Sequence, residues 1–461
     1  MQKLFKIVLV FYALIGCKLT AYAQITAPNR DWARATQYIN SPEHQDSLFT
    51  FFASTGVLKA KHTTNNPSTF YWYKYNSSIP TPSSRFQLFQ TVTNETSSEL
   101  NNLTEGGYRL VVVDNTDSTE TFTAWVFTDN VELNRIDYFN KCQFLELSAI
   151  TAPTSYDIEN DRFVYHDISR TNHPEINTYG RNYFSSVVWD ASESRVEFSP
   201  SSTLKQVIEK PAPLFNSSYS VEITNVFGRK LNAQTQNINA IASKAIQSIQ
   251  VEKDGSWTNY ETGSSNEALL GIKMESASVN SDSIYWRLSK LNITKLGEEY
   301  KIIWRDSSLF STRTEATPDK RLMKPGYFKI FHMSVNTMSG CKDSVEVEVV
   351  VDSSKIKSDA IPNVFTPNND GLNDYFKFVK PEENIKSIKT FTIRILSRTG
   401  KLIYQYSGNP REWEGWNGKI DGKGADAAEG VYYFIIEAKG WDDKEFDYGP
   451  YKGFLHLYRG K

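Results

Sequence analysis

The side chains able to do chemistry in this chain are scattered rather than gathered. Its six histidines, His44, His62, His166, His173, His332 and His456, form no H-E-x-x-H run, and no two have metal-ligand spacing on one helix. A G-x-S-x-G elbow, a phosphate-cradling glycine loop and a catalytic cysteine–histidine signature are all missing. Carboxylates are plentiful, but no spacing singles out an acid and base pair. Two polar runs remain. Tyr165-His166-Asp167, near Glu159 and Asp161, has donors for a cation but reads first as a solvated loop. Asn368-Asn369-Asp370-Gly371, followed by Asn373-Asp374, alternates oxygen ligands with glycine as an EF-hand does. Asp370, Asn373 and Asp374 are therefore candidate Ca²⁺ ligands. The bidentate glutamate is out of place, because Glu382 and Glu383 fall one and two positions late when Asp370 is position one. A tight turn rich in carboxamides fits the run better. The expectation is a chain without metal, cofactor or catalysis.

Binding is the live alternative. Phe70-Tyr71-Trp72-Tyr73-Lys74-Tyr75 places aromatic rings on both faces of one strand. Tyr71, Trp72 and Tyr73 are the candidate ligand-binding residues, since exposed rings stack on sugars or anchor a protein partner. The competing expectation puts Tyr71, Tyr73 and Tyr75 under a neighbouring module.

These rings must be positioned by strands. Tyr, Phe and Trp make 13% of the chain, as half-buried strands prefer. A Trp-bearing strand followed by a Tyr-bearing one recurs as Trp72 with Tyr108, Trp189 with Tyr219, Trp286 with Tyr327, and Trp416 with Tyr432. The tyrosines lie about 105–111 residues apart, the size of one immunoglobulin-type sandwich. In such a domain the Trp packs the core and the Tyr bonds back to backbone at a corner. The fold class expected is all-β, tandem Ig- or PKD-like β-sandwiches. Turn-rich stretches place the modules at 24–130, 131–240 and 241–353, ahead of a last sandwich at 359–461. Two short helices are expected, at Asp31–Ile39 and Ala240–Gln247.

At 461 residues the chain exceeds one core. A net charge of −2 with scattered basic residues leaves no nucleic-acid footprint. Residues 1–23 read as a secretory signal: a basic start, an apolar core from Ile7 to Gly16, and Ala21-Tyr22-Ala23 before Gln24. Cleavage between Ala23 and Gln24 is the expectation; Leu14-Ile15-Gly16-Cys17 also fits a lipoprotein box. No other run is long and apolar enough for a transmembrane helix. With Cys17 in the leader, Cys142 and Cys341 remain. An exported compartment permits their pairing, but about two hundred residues separate them, so separate buried thiols is the plainer expectation.

The C-terminal hundred residues say most. They open with Ile361-Pro362-Asn363-Val364-Phe365-Thr366-Pro367-Asn368 and continue through the Arg398-Thr399-Gly400-Lys401 hairpin and Trp416-Asn417-Gly418. Gly430-Val431-Tyr432-Tyr433 and Gly453-Phe454-Leu455-His456-Leu457-Tyr458-Arg459 complete them. In that order the motifs resemble the gliding motility-associated, type B type IX secretion sorting domain of Bacteroidota surface proteins, over residues 359–461. The resemblance implies a seven-stranded sandwich recognised by an outer-membrane translocon, with a type B membrane partner protein. Its motif residues here are Pro362, Asn363, Phe365, Thr366, Pro367, Asn368, Asp370, Gly371, Asn373, Asp374, Gly400, Trp416, Gly430, Tyr432, Gly453 and Arg459. Asp117-Ser118-Thr119 and Asp343-Ser344-Val345 also resemble the O-glycosylation sequon of such exported proteins. The expected function is a non-enzymatic protein, secreted or held on the outer cell surface, that acts as adhesin or structural component. A glycan-binding protein using exposed aromatics is the alternative.

Overall fold

The computed structural model describes residues 25–459 apart from 40–41, 43, 53–54, 64, 153–162, 169–174, 179–182, 199–202, 254, 296 and 310–314. The leader with Cys17, Ala23 and Gln24 lies outside the described residues, as do Glu159, Asp161 and His173. The fold is all-β, with 55% strand against 5% helix, and it divides into two compact units.

The first unit takes residues to 139, 146–208 and 217–238. Its first half holds β1 (Trp32–Ala35), β2 (Ser47–Phe52), β3 (Leu58–Lys61), β4 (Ser68–Tyr75), β5 (Phe86–Glu95), β6 (Ser97–Leu100), β7 (Gly106–Asp114) and β8 (Thr119–Asp129). The main sheet runs β1-β2-β8-β7-β4-β5, with β2 parallel to β8, while β3 pairs with β6. Alternation in β4 and β7 turns Phe70, Trp72, Leu110 and Val112 inward, and Ala124 and Val126 of β8, a strand buried on both faces at this point, complete one core. Each large apolar side chain there contributes about 1.5–3 kcal/mol.

The second half holds β9 (Glu132–Asn140), β10 (Phe144–Ala152), β11 (Val164–Asp167), β12 (Glu175–Thr178), β13 (Phe184–Ala191), β14 (Lys205–Glu209), β15 (Tyr219–Asn225) and β16 (Lys230–Gln234). They form the sheets β14-β10-β9, β11-β12 and β13-β15-β16. The two halves are locked at the end of β8. Asp129, fully buried, accepts hydrogen bonds from Tyr183 Oη and Asn225 Nδ2, both at 2.7 Å, and lies 3.4 Å from Arg229 Nη1. A carboxylate can be buried only with such donors around it. Beside it the Phe227 ring packs 4.6 Å from Phe163 and 5.1 Å from Trp32.

The second unit takes 140–145, 209–216 and 239–461. Strands β17 (Gln247–Lys253), β18 (Ser256–Asn259), β19 (Ile272–Ser276), β20 (Ser283–Thr294), β21 (Gly297–Leu309), β22 (Glu315–Ala316), β23 (Gly326–Asn336) and β24 (Cys341–Val351) come first. Sheets β18-β17-β19-β22 and β21-β20-β23-β24 share a core around Val251, Met274, Trp286, Phe328 and Val349. Cys142 and Cys341 form a disulfide with Cα atoms 5.4 Å apart, correcting the expectation of separate thiols. Segment 140–145 belongs to this unit and reaches the first residue of β24, a proximity that sequence separation conceals.

The C-terminal sandwich follows: β25 (Lys355–Ile356), β26 (Val364–Phe365), β27 (Ile385–Lys386), β28 (Ile388–Leu396), β29 (Leu402–Ser407), β30 (Gly430–Gly440), β31 (Glu445–Phe446) and β32 (Lys452–Leu457). Its principal sheet is β26-β32-β30-β28-β29, with β31 on β30. Glu267 ties the two sandwiches of this unit together through Lys386, at 3.5 Å, and Arg411.

Neither expected short helix forms. Asp31–Ile39 supplies strand β1, whose Trp32 pairs with Thr50, and Lys244 in the other segment bridges to Val279. Available strand edges override a weak helical preference in both places.

Candidate functional site

Three of the C-terminal motif residues, Phe365, Trp416 and Tyr432, distant in sequence, converge on one core, while Asp370, Gly371, Asn373 and Gly400 lie exposed in turns. Phe365 enters beside β32, in parallel register with Leu457, and its ring lies 5.3 Å from Trp416. Trp416 is fully buried, donates Nε1–H to the Lys419 carbonyl at 2.7 Å, and meets Tyr432 edge-on at 5.1 Å. Burial raises the Tyr432 phenol above its usual pKa, and its hydroxyl donates to the Ala428 carbonyl at 2.7 Å. Gly453 is required by close approach: a Cβ there would sit 2.8 Å from the Phe434 ring. Arg459 closes the arrangement by donating to the carbonyls of Pro367 at 3.1 Å and Gly418 at 2.9 Å. Gly400 sits in the turn between β28 and β29, and the Asn363 carbonyl accepts from His456 N–H at 2.8 Å. Pro362 leads into β26, while Gly430 opens β30.

The loop proposed for Ca²⁺ directs its oxygens at itself. Asp374 accepts the N–H groups of Asn369 at 2.6 Å and Gly371 at 2.8 Å. Asp370 accepts from Leu372 N–H at 2.7 Å and from the Asn368 carboxamide at 2.8 Å. Those bonds hold the Asp370 carboxyl below its ordinary pKa, the Leu372 N–H first. Asn373 contributes its carbonyl to Thr366 N–H at 2.9 Å. This is the geometry of an Asx-rich turn. Among the described residues, no group of three or more His, Cys, Asp or Glu side chains is placed to hold a metal.

The core faces inward; the other face of the same sheet is open and aromatic. Tyr433 on β30 is 44% exposed, and Phe454 on β32 and the following Tyr458 are 53% and 50% exposed. Tyr433 stands opposite Phe454 and Val431 opposite His456. The His456 ring stacks parallel to Tyr458 at 5.8 Å and meets Phe454 edge-on at 5.6 Å. Of this patch the sequence reasoning named none as site residues. The period-two alternation Val431, Tyr433, Ile435 and Phe454, His456, Tyr458 carried the signal, because an apolar outward face needs both phases of a strand to be apolar.

The aromatic run in β4 separates by phase. Trp72 is fully buried and donates Nε1–H to Ser98 Oγ at 2.9 Å, so it has no free face for a ligand. This corrects its assignment as a binding residue. Tyr71 and Tyr73 are half-buried on the opposite face. Further along that face, Tyr75 lies 4.9 Å from His166 and 5.3 Å from Trp125. Tyr165-His166-Asp167 is strand β11, not a solvated loop: Tyr165 and Asp167 are buried, and Tyr165 Oη is 3.2 Å from the Gln37 N–H and carbonyl. Of the other histidines, His332 stacks at 4.0 Å on Trp286 in a core, with Nε2 2.9 Å from Ser278 Oγ. Ser118 occupies the β7–β8 turn and Ser344 lies within β24.

Residues 360–457 match the family described as the CHU_C type IX secretion signal domain. Among curated proteins nothing matches the chain. Solved structures with similar strands include murine CEACAM1b, at 11% identity, covering 47% of this chain and 98% of that one with a TM-score of 0.26. Drosophila OTK extracellular domains 3–5 show 10% identity over 66% of this chain and 94% of that one, at 0.17. Dimeric latent PorU from Porphyromonas gingivalis shows 8% identity, 66% of this chain against 32% of that one, at 0.18. Superposition is loose in every case. The C-terminal sandwich is a type IX secretion signal domain.

Proposed function

We propose that this chain is a cell-surface adhesin or structural interaction protein, built of three sandwich modules at 24–130, 131–240 and 241–353. A signal peptide cut between Ala23 and Gln24 takes it to the periplasm. Residues 359–461 then present it to the outer-membrane type IX translocon and a type B membrane partner protein. The observation that carries this reading is the secretion signal domain over 360–457. Its open aromatic face supplies a surface for recognition that leaves the core intact.

Upstream, the build supports contact rather than catalysis. His332 and Ser278 are enclosed in a core, and Asp129 is surrounded by donors. No helix among the described residues is long and apolar enough to cross a membrane. Glycan binding through Tyr71, Trp72 and Tyr73 loses its central ring, since Trp72 is buried. The test is deletion of residues 359–461 followed by protease treatment of intact cells. The full chain is digested from outside and the truncated chain is protected in the periplasm; equal digestion of both overturns the proposal.

A further inference from the structure

The first module carries a concavity that the aromatic run does not predict. Between the edge strand β5 and the loop leading into β7 lies a pocket of about 340 Å³, within the range of small-molecule sites. Its floor is Leu100 and Tyr108, both buried. One wall is Phe89, 51% exposed and 6.3 Å from the Tyr108 ring. Phe89 is the extra residue of a β-bulge: Trp72 pairs with Gln90 and Tyr73 with Leu88, leaving Phe89 without a partner in the ladder. The bulge breaks the alternation, so that consecutive residues Phe89 and Gln90 both line the pocket.

The opposite wall is polar and exposed. Asn101 and Asn102 bring carboxamides that, like that of Gln90, have no hydrogen-bond partner among the described residues. The loop holding them is anchored by Tyr108, whose hydroxyl accepts from Thr104 N–H at 3.0 Å and donates to the Thr104 carbonyl at 2.8 Å. Lys74 stands behind it, its ammonium 3.9 Å from the centre of the Tyr108 ring. All three of its protons are directed to Thr104 O, Thr104 Oγ1 and Glu105 O, at 2.7–2.9 Å. It therefore offers no free donor to an anion.

An apolar ring platform facing unpaired amide donors and acceptors suits a ligand with one apolar face and a rim of hydroxyls. We propose that this pocket binds a neutral pyranose, stacked on Phe89 and hydrogen-bonded by Gln90, Asn101 and Asn102. The site is independent of the surface-delivery reading and survives its failure.

The test is saturation-transfer NMR and calorimetry on the full chain with gluco-, manno- and galacto-configured neutral oligosaccharides, beside a uronic-acid oligosaccharide. At least one neutral sugar binds, and Phe89→Ala and the double variant Asn101→Ala/Asn102→Ala each weaken it tenfold or more. Both sites are at the surface, so the variants fold, which matching circular dichroism checks. Tyr71→Ala leaves binding unchanged. Absence of binding by every neutral sugar, binding of the uronic acid alone, or neutral binding indifferent to Phe89→Ala overturns the proposal.

Discussion

Two corners of the molecule share a frame and differ by one oxygen atom. In the first module Lys74 on β4 stands opposite Tyr108 on β7, and Gly106, at φ +123°, precedes the tyrosine by two residues. In the β20–β23 sheet Lys290 stands opposite Phe328, and Gly326, at φ +142°, again precedes by two. Both ammonium groups lie near the ring, at 3.9 and 5.3 Å, and burial lowers the pKa of both lysines, Lys74 to about 8. Only the tyrosine has a hydroxyl to bond back to the loop. The C-terminal sandwich repeats the tyrosine version, with Gly430 at φ +142° and Tyr432 bonded to Ala428, again four residues back. The lesson is that packing defines the repeat, while the hydroxyl adds a tie from the ring to the preceding loop.

The largest effects test the shared frame. Trp72→Ala and Trp286→Ala each remove a fully buried ring, and each lowers stability by about 3–5 kcal/mol in chemical denaturation of the full chain. A loss below about 1 kcal/mol at either would deny that ring its place in the core. Asp129→Ala removes the carboxylate that Tyr183 and Asn225 share and the charge facing Arg229, whose Nη1 keeps the Asp129 and Val131 carbonyls, and costs about 3 kcal/mol, read as a lower Tm of the first unit.

An intermediate effect is particular to the β20–β23 sheet, where burial lowers the pKa of His332 to about 4. The neutral imidazole is the folded form, so its contribution is complete above the unfolded value near 6.5 and is lost as pH falls toward 4. Stability drops by about 2 kcal/mol across that window, and His332→Gln flattens the pH profile there. An unchanged profile in the variant would assign the drop to other groups.

The smallest effect sharpens the comparison most. Tyr108→Phe leaves the Thr104 N–H without its acceptor and Tyr432→Phe strands the Ala428 carbonyl, each at about 1 kcal/mol, whereas Tyr327→Phe changes stability by less than about 0.5 kcal/mol because Tyr327 is 55% exposed. Equal losses at all three would erase the distinction between the corners.

That distinction also marks what could be read from residues alone. Alternation made the burial of Trp72, Trp189 and Trp286 legible. Placing Tyr327 in the series failed by one residue of phase: Phe328 follows its glycine by two, as Tyr108 and Tyr432 do, and a one-residue slip turns a side chain to the other face. Tyr219 is buried but follows no such glycine. The C-terminal motifs were legible because turn residues and core aromatics are locally constrained. The Cys142–Cys341 bond, the Asp129 cluster and the Phe89 bulge join residues through tertiary pairing, which no local pattern encodes.

The claim that the C-terminal sandwich directs surface delivery is tested most directly by transplanting it. Residues 359–461 are fused to a periplasmic reporter, once unchanged and once with Tyr433→Ser and Phe454→Ser on the open face. The unchanged fusion reaches the cell surface, and the double variant, with an unaltered melting curve, accumulates in the periplasm. Equal surface delivery of both fusions would contradict recognition through that face, and retention of both would contradict the sorting role itself.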